Sequence, residues 1–114
     1  MILFGIKNCD TVRKAHRWLE AQGHQITFHD FRVDGLDKEQ VQQWVNVLGW
    51  VKVFNKRSTS FRALADEVKA GLNEQTAIEL MVKQPTLVKR PVLVKGDAVI
   101  NGFKAEDYQA WLSQ

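Results

Sequence analysis

A chain of 114 residues with 45% hydrophobic and 25% charged side chains and a net charge of +3 has the size and composition of one globular domain, and can bury a core without disulfide staples. The single cysteine excludes an intramolecular disulfide, the four tryptophans argue against disorder, and no apolar stretch is long enough to cross a bilayer as a helix. Lys and Arg are scattered, with concentrations only at Lys56–Arg57 and Lys89–Arg90; these read as anion sites, and nucleic-acid binding is not expected.

Ile2 to Ile6 is a continuous apolar run, the pattern of a strand buried on both faces. Asn8, Asp10 and Thr11 then offer helix caps, Val12, Ala15, His16 and Leu19 follow at helical spacing, and Gly23 stands where the helix ends. Gln25 to Phe31 puts Ile26 and Phe28 on one face of a second strand, completing a β-α-β unit with parallel strands and a right-handed crossover.

The middle of the chain reads as helical. Asp37 with Gln40 makes a capping-box start, and Val41, Trp44, Val45 and Leu48 form the stripe that Gly49 closes. Trp50 to Phe54 reads as an apolar turn and residues 55–60 as a polar loop. Ser60 is placed to cap a helix carrying Phe61, Leu64 and Val68 to Gly71, and Asn73 to cap another carrying Ala77, Ile78, Met81 and Val82 that stops before Pro85.

At the end, Val92–Lys95 and Ala98–Asn101 flank Gly96–Asp97, a two-residue hairpin signal, and Ala105, Tyr108, Trp111 and Leu112 share one face of a last helix. The order β-α-β, helical block, β-β-α is that of an α/β thioredoxin-like fold, a four-stranded mixed sheet with an inserted helical subdomain. The expected division is residues 1–34 and 86–114 for the core and 35–85 for the insertion.

The chemistry concentrates at Gly5-Ile6-Lys7-Asn8-Cys9-Asp10-Thr11, the turn from strand to helix. The first amides of a helix lack internal partners and carry partial positive charge, so a sulfur held there is expected as a thiolate nucleophile with an oxyanion cradle beside it. Asp10 opposes this, and basic groups must outweigh it: Lys7 is adjacent, whereas Arg57 and Arg90 are distant in sequence. A buried inert thiol is the competing reading, but Cys9 lies among Asn, Asp, Thr and Lys rather than inside an apolar run. Arg57 in its polar loop and Arg90 before a strand read equally well as solvated side chains or as anion ligands. His16, His24 and His29 show no metal-ligand spacing, so no metal is expected, and no phosphate-binding glycine motif is present. The segment MILFGIKN has neither the basic start nor the apolar length of a signal peptide; with a free thiol, the expected compartment is the reducing cytoplasm.

The segments Gly5–Thr11, Asn55-Lys56-Arg57-Ser58-Thr59, Lys89-Arg90-Pro91 and the closing hairpin-helix resemble the glutaredoxin-coupled arsenate reductase (ArsC) family, which includes the Spx regulators, and most nearly its YffB branch. The resemblance spans essentially the whole chain. It implies a thioredoxin-like core with a helical insertion, Cys9 as nucleophile, Arg90 as an anion ligand, Pro91 as a cis-proline beside the site, and Arg57 as the arginine of the YffB and Spx branches. In the arsenate reductases an oxyanion-binding arginine stands where this chain has Asn55, and a further arginine of their last hairpin has no counterpart in residues 98–102. A three-arginine arsenate site is therefore depleted, and Asn does not replace the bidentate guanidinium.

The resulting expectation is a thiol/disulfide oxidoreductase with no bound cofactor, using glutathione as co-substrate. Val12 stands where CxxC proteins keep a second cysteine, so an external thiol, from glutathione or a glutaredoxin, must resolve the Cys9 intermediate. The substrate is expected to be a disulfide or a small oxyanion held near Asn8, Asp10, Thr11, Arg57, Arg90 and Pro91, and the protein to be a monomer with no membrane partner. Glutaredoxin-coupled arsenate reduction and an Spx-like non-enzymatic role with the transcription machinery are the alternatives.

Overall fold

A computed structural model describes residues 1–114. In chain order the elements are β1 (Ile2–Gly5), α1 (Asp10–Ala21), β2 (Thr27–Asp30), α2 (Phe31–Asp34), α3 (Lys38–Leu48), α4 (Trp50–Val53), α5 (Thr59–Arg62), α6 (Asp66–Ala70), α7 (Glu74–Lys83), a 3-10 turn (Pro85–Leu87), β3 (Val92–Lys95), β4 (Ala98–Asn101) and α8 (Ala105–Leu112). They fall into two compact units: Met1–Gly35 with Arg90–Gln114, and Leu36–Lys89.

The first unit is a mixed four-stranded sheet of order β2-β1-β3-β4. β1 runs parallel to β2, with Leu3 opposite Phe28, and antiparallel to β3, with Leu3 opposite Leu93. β3 and β4 form the hairpin expected around Gly96–Asp97. The central strands are the apolar ones because both their faces are covered. Leu3 and Leu93 from the sheet, Val12, Ala15 and Leu19 from α1 and Tyr108 from α8 make one buried cluster. Each leucine-sized side chain there contributes about 1.5–3 kcal/mol through burial. The packing of α1 on β1 depends on Gly5: a Cβ at that residue would lie 2.7 Å from Val12 Cγ2. No helix is long and apolar enough to cross a membrane.

The second unit is built from short helices, and its buried side chains include Val41, Trp44 and Val45 of α3, Val53 and Phe54, Ala77, Ile78 and Met81 of α7, and Leu87 and Val88. Gln40 accepts from the Asp37 N–H at 2.9 Å, the return half of the expected capping box. Asn73 caps α7, its Oδ1 accepting from Thr76 N–H at 3.0 Å.

Four local expectations are corrected. The second strand is shorter than residues 25–31: Phe31 begins the helical turn α2, capped by Asp30, which accepts from Arg32 N–H at 2.8 Å. The apolar stretch from Trp50 is a helical turn rather than a plain turn. The helix expected from Ser60 to Gly71 is two, α5 and α6, and the cap is Ser58, whose Oγ accepts from Phe61 N–H at 3.0 Å. The helical unit also runs to Lys89 rather than 85. Asn55 N–H donates to Leu87 O at 2.7 Å and Lys89 N–H to Val53 O at 2.8 Å, tying residues 87–89 to 53–55.

Candidate active site

β1 ends at Gly5, and the chain turns through Ile6 to Asn8, where Cys9 N–H donates to Ile6 O at 3.3 Å. Cys9 itself, not Asn8, Asp10 or Thr11, is the N-cap of α1. Its backbone is extended (φ −110°, ψ 123°) while its carbonyl already accepts the first helical hydrogen bond, from Arg13 N–H at 3.0 Å. The helix thus begins one residue after the sulfur, so Asp10 and Thr11 fall inside the first turn and cannot cap it. The Cys9 side chain makes no capping bond. It is half-buried, resting against the cluster that contains Leu3, Val12 and Leu19. The residue is thus partly packed and partly exposed, at the end of the helix whose first amides have no partner within the helix.

Asn8, Asp10 and Thr11 are exposed around this residue. Asp10 accepts a hydrogen bond from Arg13 Nη2, one helical turn on. That bond, and then the charge of the same guanidinium, hold the Asp10 carboxyl below its usual range. The repulsion that Asp10 would exert on a negative sulfur is therefore partly answered from within α1. Val12 is buried over Gly5, so the position three residues after Cys9 serves packing.

Arg90 and Pro91 lie in the same unit, joined by a cis peptide bond. The register of β1 and β3 ends at Phe4 opposite Val92. Arg90 and Pro91 immediately precede Val92, at the end of the sheet where β1 leads into the turn that carries Cys9. Pro91 is buried and Arg90 half-buried. Arg57 belongs to the helical unit. There it is exposed, its N–H donates to Asn55 Oδ1 at 3.0 Å, and its carbonyl accepts from Arg62 Nη2 at 3.1 Å. Asn55 is thus a loop-building residue, its side chain spent on the backbone of Arg57.

Sequence reasoning missed a groove of about 540 Å³ beside the cysteine turn, lined by Lys7, Asn8, Val12, Arg13, His16, Phe28, Asp30, Val33 and Asp34. It lies between the α1 flank and the β2-α2 corner. Val12, Phe28 and Val33 give it an apolar floor, with cations from Lys7 and Arg13 and carboxylates from Asp30 and Asp34. The β-α-β reading implied that α1 and β2 would be neighbours, but α2, which supplies Val33 and Asp34, had no sequence signal. His16 stacks on Phe28 with ring centroids 5.9 Å apart, and the His29 Nε2 lies 2.7 Å from Gly35 O. No group of three His, Cys, Asp or Glu side chains gathers to hold a metal ion.

A family model described as "ArsC family" matches residues 4–111. A protein of Haemophilus influenzae is 43% identical over 108 residues, 95% of each chain. The solved structure of a YffB protein is 44% identical over 97% of each chain, with a TM-score of 0.93. A solution structure described as an arsenate reductase (ArsC) related protein, from Brucella melitensis, is 40% identical, covers 99% of this chain and 94% of its own, and has a TM-score of 0.77. A free cysteine at the start of the first helix of a thioredoxin-like sheet, a cis Arg-Pro turn at the same end of that sheet and these whole-length matches lead to one conclusion: the chain belongs to the ArsC family.

Proposed function

We propose that this protein is a glutathione-dependent thiol/disulfide oxidoreductase with Cys9 as its single nucleophile. The observation that carries the reading is the half-exposed Cys9 at the N-cap of α1, with no second cysteine in the chain. Outward-facing first-turn amides favour negative charge on an atom held there. The Cys9 thiolate attacks the glutathionyl sulfur of a mixed disulfide between a thiol RSH and glutathione. The S–S bond breaks, the RS⁻ released takes a proton from solvent, and Cys9 is left joined to glutathione. A second glutathione thiolate attacks this disulfide, forms glutathione disulfide and returns Cys9 as thiolate. The sum is the mixed disulfide plus glutathione giving RSH plus glutathione disulfide, so no other oxidant or reductant is needed.

The external thiol is required because Val12, at the place of a resolving cysteine, is buried against Gly5. Glutathione carries two carboxylates and one ammonium group. Arg90 and the groove with Lys7, Arg13, Asp30 and Asp34 offer complementary charge for such a zwitterion. Arg57 is a further anion ligand in this reading, a glutaredoxin is an alternative source of the second thiol, and the cytoplasm is the compartment in which glutathione is reduced. The experiment is mass spectrometry after incubation with glutathione disulfide at neutral pH. A single glutathione adduct on Cys9 is expected; a folded protein that gains none, while the denatured protein does, refutes the proposal.

The likeness to a protein described as arsenate reductase-related supports a second reading, reduction of arsenate by the same sulfur. Glutaredoxin-coupled turnover of arsenate would favour it, and rapid disulfide exchange with no arsenate turnover would exclude it.

A further inference from the structure

The far end of the β3–β4 hairpin is tied to α8 by two consecutive hydrogen bonds. The Tyr108 hydroxyl donates to Gly102 O at 2.6 Å, and Gly102 N–H donates to Pro91 O at 2.9 Å. Tyr108, Gly102 and Pro91 are all buried, so neither bond has water as a ready substitute. Gly102 sits at φ 70°, a left-handed backbone that turns its carbonyl toward α8 while its N–H closes the last rung to Pro91. The Tyr108 ring packs edge-on against Trp18 at 6.1 Å and Phe103 at 4.9 Å, contacts that phenylalanine would make equally well. The hydroxyl adds nothing to that packing, and burying it costs free energy unless it is bonded. What it does is fix the residue whose amide holds the Arg90–Pro91 turn.

We propose that Tyr108 is a positioning residue of the active site. Through Gly102 its hydroxyl sets the Arg90–Pro91 turn against the strand end leading to Cys9, and so maintains a preference for anionic over uncharged disulfides. The proposal rests on the reading of Cys9 as a disulfide-exchange nucleophile given above. It assigns to Tyr108 no contact with substrate.

The test compares the wild type, Tyr108→Phe and Phe103→Leu in single-turnover reactions with glutathione disulfide, which is anionic, and bis(2-hydroxyethyl) disulfide, which is neutral. Amide hydrogen exchange at Gly102 is read in parallel, relative to Leu93 in the middle of β3. Loss of one hydrogen bond predicts roughly fivefold faster exchange at Gly102 in Tyr108→Phe, and a comparable fall in the anionic-to-neutral rate ratio. Alkylation of Cys9 by neutral iodoacetamide stays at the wild-type rate. Phe103→Leu disturbs the same ring contact but keeps the hydroxyl, and is expected to keep the ratio. An unchanged ratio in Tyr108→Phe, or an equal fall in Phe103→Leu, overturns the proposal. A wild type inert to both disulfides defeats the exchange reading and the specificity assigned to Tyr108. That failure is distinguishable, because the Gly102 exchange still reports whether the hydroxyl holds the turn. Should Tyr108→Phe not fold, the wild type decides: a Gly102 amide exchanging as fast as that of Gly96 at the hairpin tip overturns the proposal.

Discussion

α1 and α7 begin differently, and the difference separates a helix start closed by its own side chains from one left open. α7, in the helical unit, opens on Asn73, whose side chain bonds Thr76 N–H while the Thr76 hydroxyl accepts from Asn73 N–H at 2.9 Å. Its first-turn amides are used locally for stability. α1, the longest helix of the chain, opens on Cys9, which makes no capping bond. Cysteine does not rank among the preferred caps, so α1 starts without the stability that a side-chain cap supplies to α7.

The sharpest way to break that comparison is Cys9→Ser. Reaction with glutathione disulfide and with iodoacetamide is expected to vanish. Serine is a good cap, so stability in urea is expected to be unchanged or to rise by up to about 1 kcal/mol. Retained disulfide exchange, or a clearly less stable protein, would dissolve the contrast between the two helices.

Next in size is Gly5→Ala, which sets a Cβ against Val12 in the packing of α1 on β1. Overpacking of this kind costs about 1–3 kcal/mol, read as a lower urea midpoint. Adding Val12→Ala removes the clash and is expected to restore part of the loss. A Gly5→Ala protein as stable as the wild type would show that α1 shifts freely, and that the place of Cys9 is not set by this contact.

Asn73→Ala tests the other helix. It should lower stability by about 1 kcal/mol and leave the rate of Cys9 alkylation alone. A change in that rate would couple the helical unit to the cysteine.

Two pH effects sharpen the picture further. Burial pushes the Tyr108 hydroxyl well above its ordinary value. A group whose folded value is raised contributes stability that is complete below its unfolded value, near pH 10, and is lost as pH rises toward the folded one. Unfolding monitored above pH 10 should therefore steepen in the wild type and not in Tyr108→Phe; parallel curves would contradict the burial. The smallest effect belongs to Asp10, whose carboxyl is held low by Arg13. Its contribution is present above the unfolded carboxylate value and disappears as pH falls through the folded one. Because the pair is exposed and screened, Asp10→Asn should barely move the melting temperature at neutral pH, and less still at 1 M salt.

Much of this molecule is legible in its residues, for reasons that differ between elements. α3 and α7 could be read because stripe, cap and stop all lie within a dozen residues. β3 and β4 could be read because a two-residue turn joins two apolar runs. α2 and the break between α5 and α6 could not. Each is a helical turn of four or five residues, too short to show a period, and Ser58 and Ser60 are equally good caps until Phe61 chooses between them. The place of the lone cysteine was equally open to reading, since a strand-to-helix turn rich in polar residues is a local signal. Its exact role in the helix was not, because capping depends on where the first backbone bond forms, and Arg13 N–H decides that.

What the chain determined by itself is therefore whatever depends on neighbours in sequence: the order of the strands and longer helices, the Asp37 and Asn73 caps, the hairpin, and Cys9 as the one available thiol. Only the tertiary structure decided which residues meet across long separations. It set the start of β3 beside the end of β1, buried Val12 against Gly5, opened the groove between α1 and α2, and joined Tyr108 to Pro91 through Gly102. Such pairings follow from the packing of a whole sheet and its helices, in which each contact is fixed by many others, and no window of residues contains that information.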